Sequence, residues 1–211
     1  MTARNPGGVR AELVAVCRHL AAAGLSPGSS GNASVRIGDS LLVTPTGSSF
    51  SRLTPESLAL VDLTGAAVGH TSSPTKELPL HLAVYQARDD IRAVIHLHSP
   101  HATAMACLPP DADGNAALPP LTPYRVMRLG SVPVAPYARP GSAELAAGVA
   151  QRAAADVLLL ANHGSVVAAP TLVGAGDLAE ELETAAQVTL LLLGRNPQVL
   201  SADAVTELGR R

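Results

Sequence analysis

Two histidine clusters carry the chemistry this chain could perform. His96-Leu97-His98 closes the apolar run Ala93-Val94-Ile95, and Asn162-His163-Gly164 closes a second, Val157-Leu158-Leu159-Leu160-Ala161. Residues two apart on a strand point to the same face, so His96 and His98 can aim both imidazoles at one point. A strand ending beside them could deliver His163 as a third ligand. Three neutral imidazoles with an open fourth position describe a catalytic site of the zinc type. Glu77 and the chain's one lysine, Lys76, stand upstream in Pro74-Thr75-Lys76-Glu77. A His-x-His pair alone is weak, because half-buried histidines are common on strands. The other four histidines read as ordinary: His19 on an amphipathic helix, His70 in a turn, His101 at a helix start, and His81 one helical turn after Glu77.

The elements that must position these residues alternate along the chain. Residues 9–24 carry helical spacing and end at Gly24. Residues 33–37 and 41–44 read as a hairpin across Gly38-Asp39-Ser40. Thr54-Pro55-Glu56 reads as a capped turn, and residues 58–63 with 66–68 as a second hairpin. A helix over about 76–88 tolerates Pro79 in its first turn. The His-x-His strand follows, then a helix over 100–108, a Pro/Asp/Gly-rich loop over 109–123 and a short helix over 124–129. The remainder reads as strand 132–135, helix 142–155, strands 157–163 and 165–168, and a long helix over 172–193. These elements predict a mixed sheet covered by helices.

The 211 residues suit one compact domain, with 194–211 as a tail and candidate lid. Hydrophobic residues make up 47% and aromatic residues 2%, so the core must be aliphatic. The net charge is −2 with no basic patch, which argues against nucleic-acid binding. Cys17 and Cys107 have no metal or redox spacing and read as buried thiols. Met1 to Pro6 shows no signal-peptide apolar region, and the stretch 188–193 is too short to span a bilayer. A soluble, cytoplasmic protein without a membrane partner is expected.

Three loops have the composition of an anion cradle: Gly31-Asn32, Thr46-Gly47-Ser48-Ser49 and Ser72-Ser73-Pro74-Thr75. Each alone is an ordinary turn; beside a three-histidine site they suggest a metal enzyme acting on a phosphorylated small molecule. Over nearly its whole length the chain resembles the class II aldolase/adducin family. The resemblance rests on Ser30-Gly31-Asn32-Ala33-Ser34-Val35-Arg36, Val43-Thr44-Pro45-Thr46-Gly47, Glu77-x-x-x-His81, His96-x-His98 and Ala161-Asn162-His163-Gly164. It implies a single three-layer α/β/α domain with a central mixed, largely antiparallel sheet. It also implies a divalent metal on His96, His98 and His163, zinc first, with manganese, cobalt or magnesium as alternatives. Glu77 would be the catalytic acid/base. Asn32, Thr46, Gly47 and Thr75 would bind the phosphate of a small sugar or sugar acid. The resemblance further implies a homotetramer with sites at subunit interfaces, where Tyr124 of a neighbouring subunit is the candidate proton donor.

Sugar-phosphate aldolases of the family carry Ser-Ser before the glutamate, where this chain has Thr75-Lys76. Together with Leu118-Pro119-Pro120-Leu121-Thr122-Pro123-Tyr124 and Tyr137-Ala138-Arg139-Pro140-Gly141, that pair looks closest to the 3-oxo-tetronate 4-phosphate decarboxylases. This implies decarboxylation to dihydroxyacetone phosphate and CO2 through a metal-stabilised enediolate, with Lys76 pairing with the substrate carboxylate or phosphate. The alternatives are an L-fuculose-phosphate-aldolase-like cleavage of a ketose 1-phosphate and a non-catalytic, adducin-like assembly module.

Overall fold

Short aliphatic strands, the central ones buried on both faces, build one sheet with a helical layer on each side. The computed structural model describes residues 6–209. The leaderless reading of Met1 to Asn5 and the last two residues of the tail lie outside the described residues. The strands are β1 (Asn32–Ile37), β2 (Ser40–Val43), β3 (Ala59–Asp62), β4 (Ala93–Leu97), β5 (Val134–Ala135), β6 (Val157–Leu160) and β7 (Gly164–Ala169). They form one sheet in the order β3-β2-β1-β4-β7-β6-β5. Every pair is antiparallel except the edge pair β5–β6.

The helices are α1 (Pro6–Ala22), α2 (Leu78–Ala87), α3 (Pro100–Ala106), α4 (Pro123–Leu129), α5 (Ala143–Ala150), α6 (Leu172–Leu191) and α7 (Ala202–Leu208). On one face, α1, α3, α4 and α6 bury Leu13, Cys17, Met105, Leu129 and Leu182 against Val35, Ile95, Leu97 and Val167. On the other, α2 and α5 bury Leu80, Val84, Leu145 and Val149 against Leu41, Val94, Leu158 and Val166. Both helical layers are apolar toward the sheet, so β4 at its centre is buried along its whole length. The single α/β domain with a largely antiparallel sheet is as expected.

Four local expectations need correction. Residues 66–68 fold back on the free edge of β3 as expected, through Asp62 N–H to the Ala66 carbonyl and Val68 N–H to the Leu60 carbonyl, but make only one bridge, Val61 to Ala67, too short for a strand. Helix α5 stops at Ala150 and the chain turns through 151–155. Strand β6 ends at Leu160, three residues short of His163. Cys107 caps α3 and is exposed, whereas Cys17 is buried as expected. The tail contains α7, which packs on α4, and Leu200 donates its N–H to the Pro120 carbonyl. Among the described residues no helix is long and apolar enough to cross a membrane.

Candidate metal centre and its carboxylate

Three sheet neighbours converge on the C-terminal end of β4. Val94 faces the α2–α5 layer, so His96, two residues on, faces it too. Asn32 of β1 and Val166 of β7 flank His96 in register. His98 follows just past the strand. His163 arrives differently from the expectation: it sits in the tight turn joining β6 to β7, not at a strand end. Asn162 makes that turn possible with φ 56°, a left-handed conformation that asparagine tolerates better than most residues.

The three imidazoles surround a common point. Their ring centroids are 4.8, 4.8 and 4.9 Å apart, with planes inclined by 69–73°. His96 Nδ1 lies 2.8 Å from the Ser165 carbonyl oxygen and must donate to it. That bond leaves His96 Nε2 as the lone-pair atom, 2.9 Å from His98 Nε2. Glu77 completes the group, with Oε2 3.2 Å from His96 Nε2 and Oε1 3.4 Å from His163 Nε2. One ligand atom from each of Glu77, His96, His98 and His163 falls within 4.8 Å of the others.

This donor set suits a divalent cation. A tetrahedral ion with bonds of about 2.0–2.1 Å places its nitrogen ligands roughly 3.3 Å apart, close to the spacing seen here. Glu77 Oε1 is buried without a hydrogen-bond partner and faces His163 Nε2, so the carboxylate adds negative charge beside the three imidazoles. The protonation states agree. Burial, then the neighbouring imidazoles, pushes His98 down to about 4, and burial lowers His163 as well. Burial works to raise Glu77, but the His96 contact and the Asn32 hydrogen bond outweigh it and hold the carboxyl below its usual range. The shifts thus favour neutral rings at His98 and His163 and an ionised carboxylate at Glu77, the forms that bind metal.

Glu77 is the N-cap of α2, with Pro79 in the first turn as expected. Asn32, expected at the phosphate, has a side chain that reaches the carboxylate. Its Nδ2 donates to Glu77 Oε2 at 2.9 Å, and its Oδ1 accepts from His81 Nε2 at 2.6 Å, so the buried amide is turned to the carboxylate. The other anion-cradle residues lie together. Thr46 N–H donates to the Ser73 carbonyl and Thr75 N–H to the Thr44 carbonyl, which joins the two loops side by side. Thr46 and Gly47 are exposed there, and the Thr75 hydroxyl accepts from Glu77 N–H at 3.2 Å. Lys76 is exposed. A Cβ on Gly141, which has φ +75°, would lie 2.9 Å from the Lys76 carbonyl oxygen, so the Tyr137–Gly141 loop packs directly on the backbone before Glu77. Tyr124 is 64% exposed on α4, and within its own chain no hydrogen bond joins it to the cluster among the described residues. Arg125 braces the Leu118 and Gly130 carbonyls.

Two contributors escaped sequence reasoning. Glu183 of α6 is buried and accepts the N–H groups of His101 and Ala102, each at 2.9 Å, which anchors the start of α3 just beyond His98. Its only sequence signal was a carboxylate within an otherwise apolar helical stripe. His81 was visible only as the residue four after Glu77. A third position was visible but unread: a Cβ on Gly164 would overlap the Leu97 carbonyl oxygen, between the two histidines of β4. Gly164→Ala is therefore expected to lose about 1–3 kcal/mol of stability, and its metal content should fall with the melting temperature. An unchanged melting curve would show that β4 and β7 can part without cost.

Comparison with known proteins agrees with this geometry. The Class II Aldolase and Adducin N-terminal domain matches residues 11–190. A Haemophilus influenzae protein named 3-oxo-tetronate 4-phosphate decarboxylase is 43% identical over 190 residues, covering 89% of this chain and 90% of the relative. The L-fuculose phosphate aldolase of Escherichia coli is 35% identical over 187 residues, covering 86% and 82%. Among solved structures, YgbL from Klebsiella pneumoniae superimposes with a TM-score of 0.91 at 39% identity, covering 97% of this chain and 99% of that one. Matched by the family model over most of its length, and by relatives and a solved structure that cover nearly all of it, the chain belongs to the class II aldolase and adducin family.

Proposed function

We propose that this chain is a divalent-metal-dependent carbon–carbon lyase that decarboxylates a 3-oxo-tetronate 4-phosphate to dihydroxyacetone phosphate and CO2. The observation that carries the lyase reading is the convergence of His96, His98 and His163 on the Glu77 carboxylate. The choice of substrate draws on the relatives: those named decarboxylase reach 43% identity, those named L-fuculose phosphate aldolase 35–36%.

His96, His98 and His163 would hold the metal, with zinc the first choice for three imidazoles. When bound, it supplies Lewis-acid stabilisation of the charge that develops on the ketone oxygen. The substrate carboxylate is β to that ketone. As the C1–C2 bond breaks, its electron pair passes into the C2–C3 bond and onto the ketone oxygen, and CO2 departs. One proton must then reach C2. Glu77 carries it, with its free Oε1 as the transferring atom. Tyr124 of a neighbouring subunit is the proposed donor from which the ionised Glu77 first takes that proton. The phosphate would rest where the two joined loops meet, on the Thr46 and Thr75 hydroxyls and the Gly47 N–H. The spent N–H groups of Thr46 and Thr75 would take no part. Lys76 would attract the substrate's anionic end, its backbone held by the Tyr137–Gly141 loop. Tyr124, Tyr137, Leu191 and Leu193, all well exposed, would be covered in a homotetramer with sites at subunit interfaces. The proposed location is the cytoplasm.

The second reading is an aldolase that releases dihydroxyacetone phosphate and an aldehyde from a ketose 1-phosphate. It is favoured by the aldolase relatives and by the enediolate common to both reactions. The deciding experiment supplies zinc-loaded protein with a 3-oxo-tetronate 4-phosphate and measures dihydroxyacetone phosphate and CO2 together. Equal amounts of both are expected. Product only from ketose 1-phosphates, with an aldehyde and no CO2, would replace the decarboxylase by the aldolase.

A further inference from the structure

We propose that His81 is a positioning residue that fixes the direction of the Glu77 carboxylate through Asn32; the inference rests on the acid/base role proposed for Glu77. His81 stands one turn along α2 from Glu77, and its side chain is completely buried against β1. Asn32 and Ser34, two apart on β1, face it together. Both ring nitrogens are engaged: Nε2 lies 2.6 Å from Asn32 Oδ1 and Nδ1 lies 2.8 Å from Ser34 Oγ.

The directions of these bonds follow from valence. An amide carbonyl oxygen only accepts, so His81 Nε2 carries a hydrogen. Burial pushes the ring's pKa down to about 3, so it stays neutral and Nδ1 is an acceptor. The Ser34 hydroxyl must therefore donate to it. The Tyr85 hydroxyl, 3.0 Å from both Ser34 Oγ and the Ser34 carbonyl oxygen, closes the far end, its single hydrogen shared between these two acceptors. At the near end, only one amide orientation of Asn32 remains. Turned over, Asn32 would set its carbonyl against the Glu77 carboxylate and its NH2 against the His81 N–H, two like-dipole contacts in a buried site. The chain Tyr85–Ser34–His81–Asn32 thus keeps an N–H aimed at Glu77 Oε2, at 2.9 Å. Oε1 is left without a protein hydrogen-bond partner. One carboxylate oxygen is tied down, and the other is kept free for proton transfer. A carboxylate held by its neighbours in one rotamer has no reorganisation to perform during the reaction.

Two variants and one spectrum test this. His81→Leu keeps bulk but removes the donor; His81→Gln keeps an N–H where Nε2 stood. His81→Leu should lose roughly 10–100-fold in kcat, the usual effect of removing an outer-shell partner, with KM and zinc content little changed. His81→Gln should recover most of the loss. Wild-type kcat in His81→Leu, or equal losses in both variants, would reduce His81 to core packing and overturn the inference. The ¹⁵N resonances of His81 in the intact protein need no substrate. They should report a neutral ring protonated at Nε2 from pH 5 to 8, and a charged or Nδ1-protonated ring would overturn the hydrogen-bond chain even if neither variant folds. Wild-type protein without turnover on any of the phosphorylated substrates would count against the proposed function, and the ring's tautomer would still decide the chain.

Discussion

Glu77→Gln is expected to lower kcat by about 10²–10⁴-fold, the range for removing a general acid/base group, while zinc content and folding are kept. The substitution is nearly isosteric. The glutamine carbonyl can still accept from Asn32 Nδ2, which now bonds Oε2 at 2.9 Å. Its NH2 then occupies the place of Oε1, facing His163 Nε2 at the present 3.4 Å. Three imidazoles remain to bind metal, and their geometry depends on the β4 and β7 backbones rather than on Glu77. What disappears is the one atom of the cluster able to take up and release a proton near the reacting carbon. Steady-state kinetics with parallel metal analysis on purified protein makes the check. A fully active variant with normal metal content would move the proton transfer to another group, with Tyr124 the first to test. A variant that loses activity and zinc together would instead make Glu77 a ligand.

Much of this site was legible because strands have a period of two. His96 and His98 had to share a face whatever the fold, and Glu77-x-x-x-His81 had to share a helix side. The approach of His163 was misjudged because an apolar run gives no sign of where pairing stops. The strand ends at Leu160, and the remaining three residues are spent turning the chain back at Asn162. The same limit overstated the second hairpin, where 66–68 turn back on β3 but pair through a single bridge. Asn32 shows a different limit. Its partners Glu77 and His81 lie 45 and 49 residues away. Nothing local distinguishes an asparagine that meets a phosphate from one that meets a carboxylate. Glu183 is similar, since its value comes from α3 N–H groups more than 80 residues away. Periodicity reveals faces; long-range polar pairing appears only once the sheet order is known.

Removing the metal should abolish turnover yet leave the protein folded. Both aliphatic cores close without the histidine cluster: the α1–α3–α4–α6 face and the α2–α5 face are each continuous beneath the sheet. A chelator-treated sample should therefore keep its secondary structure and melt cooperatively, at a lower temperature than the loaded protein. Binding to the native state alone stabilises by about 4 kcal/mol at a thousandfold excess over the dissociation constant, which for a domain of this size is a shift of roughly 8–16 °C. Zinc, manganese and cobalt should each restore some activity, because ring orientation is set by the protein: His96 is held by the Ser165 carbonyl, and the start of α3 beyond His98 by Glu183. His98→Ala should behave like the chelated protein, since two imidazoles and a carboxylate hold the ion less tightly. Full turnover after chelation would defeat the metal-dependent reading outright. A melting temperature indifferent to added metal, in protein without activity toward either substrate class, would return the chain to the non-catalytic assembly module as its best description.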